Sequence, residues 1–118
     1  MIARTALAMF SLLLVFDTVA DIVTREVSYK QGDMVMKGFV AYDDSIETVR
    51  PGILVIHEWW GHNAYARKRA RMLAEMGYTA LAVDMYGDGQ TADHPDDAGK
   101  FSSAVGGNLS LIHISEPT

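Results

Sequence analysis

His57-Glu58-Trp59-Trp60-Gly61-His62 is the densest run of chemically capable side chains in this 118-residue sequence. Histidine followed by glutamate opens the helical zinc motif H-E-x-x-H, whose second histidine must fall four residues after the first to share its helix face. Here His62 comes five residues after His57, Gly61 stands in the ligand position, and the preceding Ile53-Leu54-Val55-Ile56 reads as strand. Spacing and context both fail, so no metal site is expected. What remains is a carboxylate and two large aromatics leaving a strand. Ligands and catalytic groups in open α/β sheets gather just beyond the carboxyl ends of strands. Glu58, Trp59 and Trp60 occupy that address and read as one rim of an active site. Enclosed by the two rings, the Glu58 charge would need a cation or a hydrogen-bonding partner. One tryptophan is expected to pack and the other to face the cleft. Tyr86-Gly87-Asp88-Gly89 follows the next apolar run and shares the same sheet edge. It reads either as a glycine-built turn or as a substrate contact.

The elements that must position these residues follow from periodicity. Residues 23–30 alternate, with Val23, Arg25, Val27 and Tyr29 on one side and Thr24, Glu26 and Ser28 on the other, which predicts a half-exposed strand. Gln31-Gly32-Asp33 predicts a turn and residues 34–42 its hairpin partner, before a polar loop closed by Pro51-Gly52. Residues 53–56 and 79–83 are continuously apolar, as in strands buried on both faces. Between them Asn63 predicts an N-cap, residues 64–76 a helix and Gly77 its C-terminal stop. Tyr65, Arg69, Met72, Leu73 and Met76 recur at helical spacing, leaving Arg67, Lys68 and Arg71 as a solvated face. Strand, helix and strand at this spacing predict a right-handed crossover. Pro95 opens a second helix, with Asp96 and Asp97 suited to its first turn. The fold class is α/β, an antiparallel hairpin feeding parallel β-α-β-α units.

Composition bounds the chemistry. A net charge of -5 and a pI near 5.2 argue against a nucleic-acid partner held by electrostatics. There is no cysteine, hence no disulfide, thiolate metal site or cysteine nucleophile within this chain. The two ends carry separate expectations. Residues 1–20 combine Arg4, the apolar stretch from Ala6 to Phe16 and the small-residue site Thr18-Val19-Ala20, the pattern of a cleaved signal peptide. That stretch is shorter than the about 20 apolar residues that span a bilayer. Export to a periplasm or to the medium, without stable membrane association afterwards, is therefore expected. Residues 109–118 match the translation of a transposase-type sequencing adapter, so the domain itself is expected over residues 21–108.

Together, His57-Glu58-Trp59-Trp60-Gly61, Asn63, Ala66-Arg67 and the strand-end Asp84-Met85-Tyr86 give the chain its family likeness. From about Asp21 to Val105 it resembles the dienelactone hydrolase family of the α/β-hydrolase superfamily, represented by the N-terminal half of the fold. The resemblance implies a cysteine-histidine-aspartate triad acting on lactones or esters, with the cysteine at a G-x-C-x-G elbow, and no cofactor. Neither that elbow nor G-x-S-x-G occurs here. The triad is expected downstream of Asn108, and the chain alone is expected to be inactive. Glu58 matches the family glutamate that contacts the resting thiol. Trp59 matches the residue whose backbone N–H completes the oxyanion hole, and Trp60 and Tyr86 would shape the acyl pocket. Asp88 stands where the family's prototype has an arginine that grips a substrate carboxylate, which implies a preference for neutral esters or lactones as the small-molecule partner. A non-catalytic relative that binds a small molecule or a protein partner is the second expectation, since fold alone does not decide between them.

Overall fold

The computed structural model describes residues 21–108. The expectations placed on residues 1–20 and 109–118 lie outside that range. Strands β1 (Ile22–Gln31) and β2 (Met34–Asp43) form the hairpin, paired in antiparallel register from Ile22 opposite Asp43 to Gln31 opposite Met34. Its turn is two residues long and begins with Gly32 at φ +59°, the conformation a tight hairpin asks of its first turn residue. Strand β3 (Gly52–Ile56), helix α1 (Ala64–Glu75) and strand β4 (Thr79–Val83) follow, then helix α2 (Pro95–Gly106). The sheet order is β1-β2-β4-β3, with β4 antiparallel to β2 and parallel to β3. The chain thus skips one place to lay down β3 and returns through α1 to fill the gap with β4.

Both helix termini of α1 are closed by the residues expected. The Asn63 side chain accepts the Tyr65 and Ala66 N–H groups at 3.1 and 3.3 Å. At the other end Gly77, at φ +93°, donates to the Ala74 carbonyl while Tyr78 donates to that of Leu73, a Schellman arrangement. For α2, Pro95 stands in the first turn with Asp96 and Asp97, and the His94 side chain accepts the Asp96 N–H.

The buried face of α1 is not the stripe its larger side chains suggest. Ala66, Ala70 and Ala74 face the sheet and meet Ala41, Ala80 and Ala82, with Phe39 completing the cluster and Val55 and Leu73 packed against it. Methyl groups on both surfaces let the helix backbone lie close over β2 and β4. Tyr65, Met72 and Met76 are exposed. Nor is the basic side of the helix simply solvated. The Arg67 and Arg71 guanidinium groups lie 5.4 and 4.8 Å from the Phe39 ring centroid, and Arg67 pairs with Glu26 at 2.8 Å.

Strand β3 also departs from expectation. It lies at the sheet edge with β4 as its one described neighbour, so Leu54 is 57% and Ile56 65% exposed rather than buried. Strand β4, flanked on both sides, buries Ala80 and Ala82 completely. Among the described residues no helix is long and apolar enough to cross a membrane.

The alanine seam makes a direct prediction. Ala70→Leu forces extra carbons into a closed contact and is expected to lower the unfolding free energy by about 1–3 kcal/mol. Met72→Ala on the exposed stripe should stay within about 0.5 kcal/mol of wild type. Denaturant titration of both variants checks this, and the reverse ranking would place the Tyr65-Met72-Met76 face against the sheet.

Candidate active site

The site forms where β3 and β4 end side by side. At the end of β4, Asp84 is buried and its carboxylate collects four backbone donors. Oδ1 accepts the N–H groups of Tyr86 and Gly87 at 3.1 and 2.9 Å, and Oδ2 those of Gly89 and Lys37 at 2.8 and 2.9 Å. Its own N–H donates to the Tyr29 hydroxyl at 3.1 Å, tying the turn to β1. Curling the chain around one carboxylate needs left-handed backbone, and Gly87, Asp88 and Gly89 have φ of +86°, +51° and +69°. A side chain at Gly87 would in addition run into the Met34 sulfur.

The loop after β3 leans on this turn. The Glu58 carbonyl accepts the Gly61 N–H at 3.1 Å and contacts His57 Nδ1 at 2.6 Å, while His57 Nε2 accepts the Met85 N–H at 3.1 Å. A backbone N–H can only donate and a carbonyl only accept. His57 is therefore the neutral Nδ1–H tautomer, with both ring nitrogens occupied. The Tyr86 hydroxyl donates to the Trp59 carbonyl at 2.7 Å, and the Ala92 N–H donates to the Trp60 carbonyl at 2.9 Å. The Tyr86 ring, buried, sits between His57 and Phe101 at centroid distances of 4.8 and 5.4 Å, and burial raises its hydroxyl pKa. Gly61, at φ +91°, passes so close to the Gln90 carbonyl that a Cβ would collide with it.

Of the hollows that open beside this pair of loops, two reach the β3 loop. A mostly apolar cleft of about 230 Å³ is lined by Ile56, His57, Glu58, Trp59, Met85, Tyr86, Ser102 and Val105. A second of about 150 Å³ lies toward α1, between Val55, Ile56, His57, Glu58 and Asn63, Tyr65, Ala66 and Arg69. Of the residues expected in the site, Glu58, Trp59 and Tyr86 come together in the first cleft, and Glu58 also reaches the second. Trp59 is 44% exposed toward the cleft; Trp60 is the more buried of the two, its ring centroid 5.1 Å from that of Trp59, and it lines neither hollow.

Two expectations change. Glu58 is exposed instead of enclosed between the tryptophans, and it borders both hollows. Asp88 lines neither hollow. It projects toward β2, where its carboxylate pairs with Lys37 at 2.7 Å and raises the lysine pKa. That pairing offsets the charge thought to repel a substrate carboxylate. Sequence reasoning passed over the carboxylate of Asp84 and the ring of His57 as organisers of the site. Asp84 had a legible signal, an aspartate heading a turn with two glycines that can present successive N–H groups. The contacts of His57 depend on the β4 turn and had none. Among the described residues no group of three or more His, Cys, Asp or Glu could hold a metal ion.

A strand-helix-strand unit with a carboxylate-aromatic loop at its carboxyl edge is consistent with part of an α/β-hydrolase fold, and comparison with known proteins gives it a family. Residues 36–111 match the model of the dienelactone hydrolase family, and the chain belongs to that family. It is 36% identical over 82 residues to an Aquifex aeolicus protein named "Putative carboxymethylenebutenolidase", an alignment covering 67% of this chain and 34% of that protein. Protein usf of Aquifex pyrophilus is 35% identical over 78 residues, 64% of this chain and 32% of the relative. The chain thus spans about a third of the length of these relatives. Among solved structures, the dienelactone hydrolase-like promiscuous phosphotriesterase P91 from metagenomic libraries superposes with a TM-score of 0.72 at 33% identity, over 79% of this chain and 38% of that one.

One side chain in the loop is unsatisfied. His62 is 3% exposed, and neither ring nitrogen has a hydrogen-bond partner among the described residues. Burial, followed by the nearby Arg67 charge, holds its pKa below the ordinary 6.5. As pH falls below 6.5 the unfolded chain takes up a proton here that the folded ring resists. Stability is therefore lost from 6.5 downward toward the lower folded value. His62→Leu removes the two unpaired nitrogens and is expected to raise stability by about 1–2 kcal/mol and to flatten the acid-side decline. Denaturant midpoints above and below pH 6.5 check this; an equally steep decline in the variant would assign the acid sensitivity elsewhere.

Proposed function

We propose that this chain supplies the oxyanion-hole and acyl-pocket half of a hydrolase for carboxylic esters or lactones. The observation that carries the reading is the Trp59 N–H. It finds no acceptor among the described residues and belongs to a loop whose carbonyls are held by His57, Gly61, Tyr86 and Ala92. A fixed, unspent backbone donor beside an apolar cleft suits the oxygen of a carbonyl that turns negative as a nucleophile adds. The cleft walls, Ile56, Trp59, Met85 and Val105, suit a neutral acyl group.

The nucleophile is proposed to be a cysteine at an elbow outside this chain, with a histidine as its base and an aspartate orienting that histidine. The thiolate adds to the ester carbonyl, the alkoxide leaves with a proton from the histidine, and water then cleaves the thioester. Glu58, exposed between the two hollows, is proposed to face that thiol before substrate arrives. The open edge of β3 and its exposed Leu54 and Ile56 provide the side on which that remaining structure docks. Export to the periplasm or medium is part of the same proposal.

The test compares the full-length parent with the 118-residue chain on neutral p-nitrophenyl esters and lactones, and on a phosphotriester in view of the P91 likeness. The parent is expected to turn over the neutral esters and to lose that activity on thiol alkylation, and the short chain to remain at buffer background. Turnover by the short chain would overturn the placement of the nucleophile. Alkylation without effect would overturn its identity as cysteine. A parent inert towards every substrate would favour the non-catalytic binding reading.

A further inference from the structure

We infer that His57 and Tyr86 are positioning residues that aim the Trp59 N–H, by pinning the two peptide groups on either side of the Trp59 Cα. The inference rests on the hydrolase reading above and adds what gives the donor its direction. In a planar trans peptide the N–H points opposite to the carbonyl of the preceding residue. The direction of the Trp59 N–H is therefore set by the Glu58 carbonyl. That oxygen is held from two sides, by the Gly61 N–H at 3.1 Å and by His57 Nδ1–H at 2.6 Å. The next peptide is fixed by its own oxygen, which accepts the Tyr86 hydroxyl at 2.7 Å.

Neither side chain is free to drift. His57 Nε2 accepts the Met85 N–H at 3.1 Å, which sets the tautomer that leaves Nδ1 as the donor. Tyr86 is 8% exposed, with its ring 4.8 Å from His57 and 5.4 Å from Phe101. Its backbone N–H is bound by Asp84, so the hydroxyl is presented from an anchored residue. The β4 turn thus dictates the plane of a peptide on the β3 loop. An oxyanion donor set in advance needs no reorganisation as charge develops, which is the source of its catalytic effect. Loosening either pin lets the peptide librate. The substrate still enters the apolar cleft, while the bond formed only in the transition state weakens.

The experiment is steady-state kinetics of the full-length parent on a neutral ester, for wild type, Tyr86→Phe, His57→Phe and His57→Gln. Deleting a whole oxyanion donor costs about 100–1000-fold in kcat, so a misaimed one should cost about 10–100-fold. Tyr86→Phe keeps the ring and removes only the hydroxyl. It is expected to lower kcat by about 10–100-fold with KM within about twofold, the split that marks an interaction made in the transition state. His57→Phe should do the same. His57→Gln, whose amide can both donate to the Glu58 carbonyl and accept the Met85 N–H, should recover most of the loss.

Wild-type kcat in Tyr86→Phe, or a rise in KM at constant kcat, would overturn the proposal while leaving the hydrolase reading intact. So would a glutamine variant no better than phenylalanine. A parent inert on every ester would overturn both. Should His57→Phe fail to fold, the hydroxyl deletion decides by itself.

Discussion

Four backbone N–H groups converging on the buried Asp84 carboxylate hold the rest of the site in place. Bonds to a charged acceptor contribute about 1.5–3 kcal/mol each, and losing the acceptor would strand donors in the interior at a cost of similar size. The turn they create passes through the left-handed region at three successive residues, which Gly87 and Gly89 adopt without penalty and only Asp88 adopts at a cost. From it project the Met85 N–H that orients His57 and the Tyr86 ring whose hydroxyl holds Trp59. One of the four donors comes from Lys37 on β2, so the hairpin, the β4 turn and the β3 loop are coupled through a single side chain.

The sheet that carries that turn is packed against α1. The alanines of α1 and those of β2 and β4 make contact through small groups. Such a seam has little room for rotameric adjustment, which fixes the distance between helix and sheet. Gly61 and Gly87 extend the same economy of volume to the loops, where any side chain would meet the Gln90 carbonyl or Met34. The larger apolar groups, Leu54, Ile56, Tyr65, Met72 and Met76, are left outward on the β3 side of the molecule and on α1.

How much of this could be read from the sequence divides along physical lines. The hairpin, both strands of the parallel pair, both helices and the Asn63 and Gly77 caps follow from local rules of periodicity and termination. Of the rim expected at the end of β3, Glu58 and Trp59 line a cleft, whereas Trp60 lines neither hollow. The packed face of α1 was not legible, since alanine weighs little beside tyrosine and methionine in any periodicity, yet the closest packing selects it. The edge position of β3 escaped for a different reason: an apolar run states that a strand can be buried, not which neighbours it has. Asp88 was placed by its sequence distance from Tyr86, but three left-handed residues in a row turned it toward Lys37.

The direction of the Trp59 N–H decides whether this loop can bind a developing oxyanion. A crystal structure of the full-length parent with a phosphonate attached to its nucleophile, mimicking the tetrahedral intermediate, measures this directly. The predicted result is the phosphonyl oxygen about 2.7–3.1 Å from the Trp59 nitrogen. The Tyr86 and His57 bonds to the Trp59 and Glu58 carbonyls should be retained. A phosphonyl oxygen directed away from the β3 loop, or a Trp59 peptide rotated away from both side chains, would contradict it.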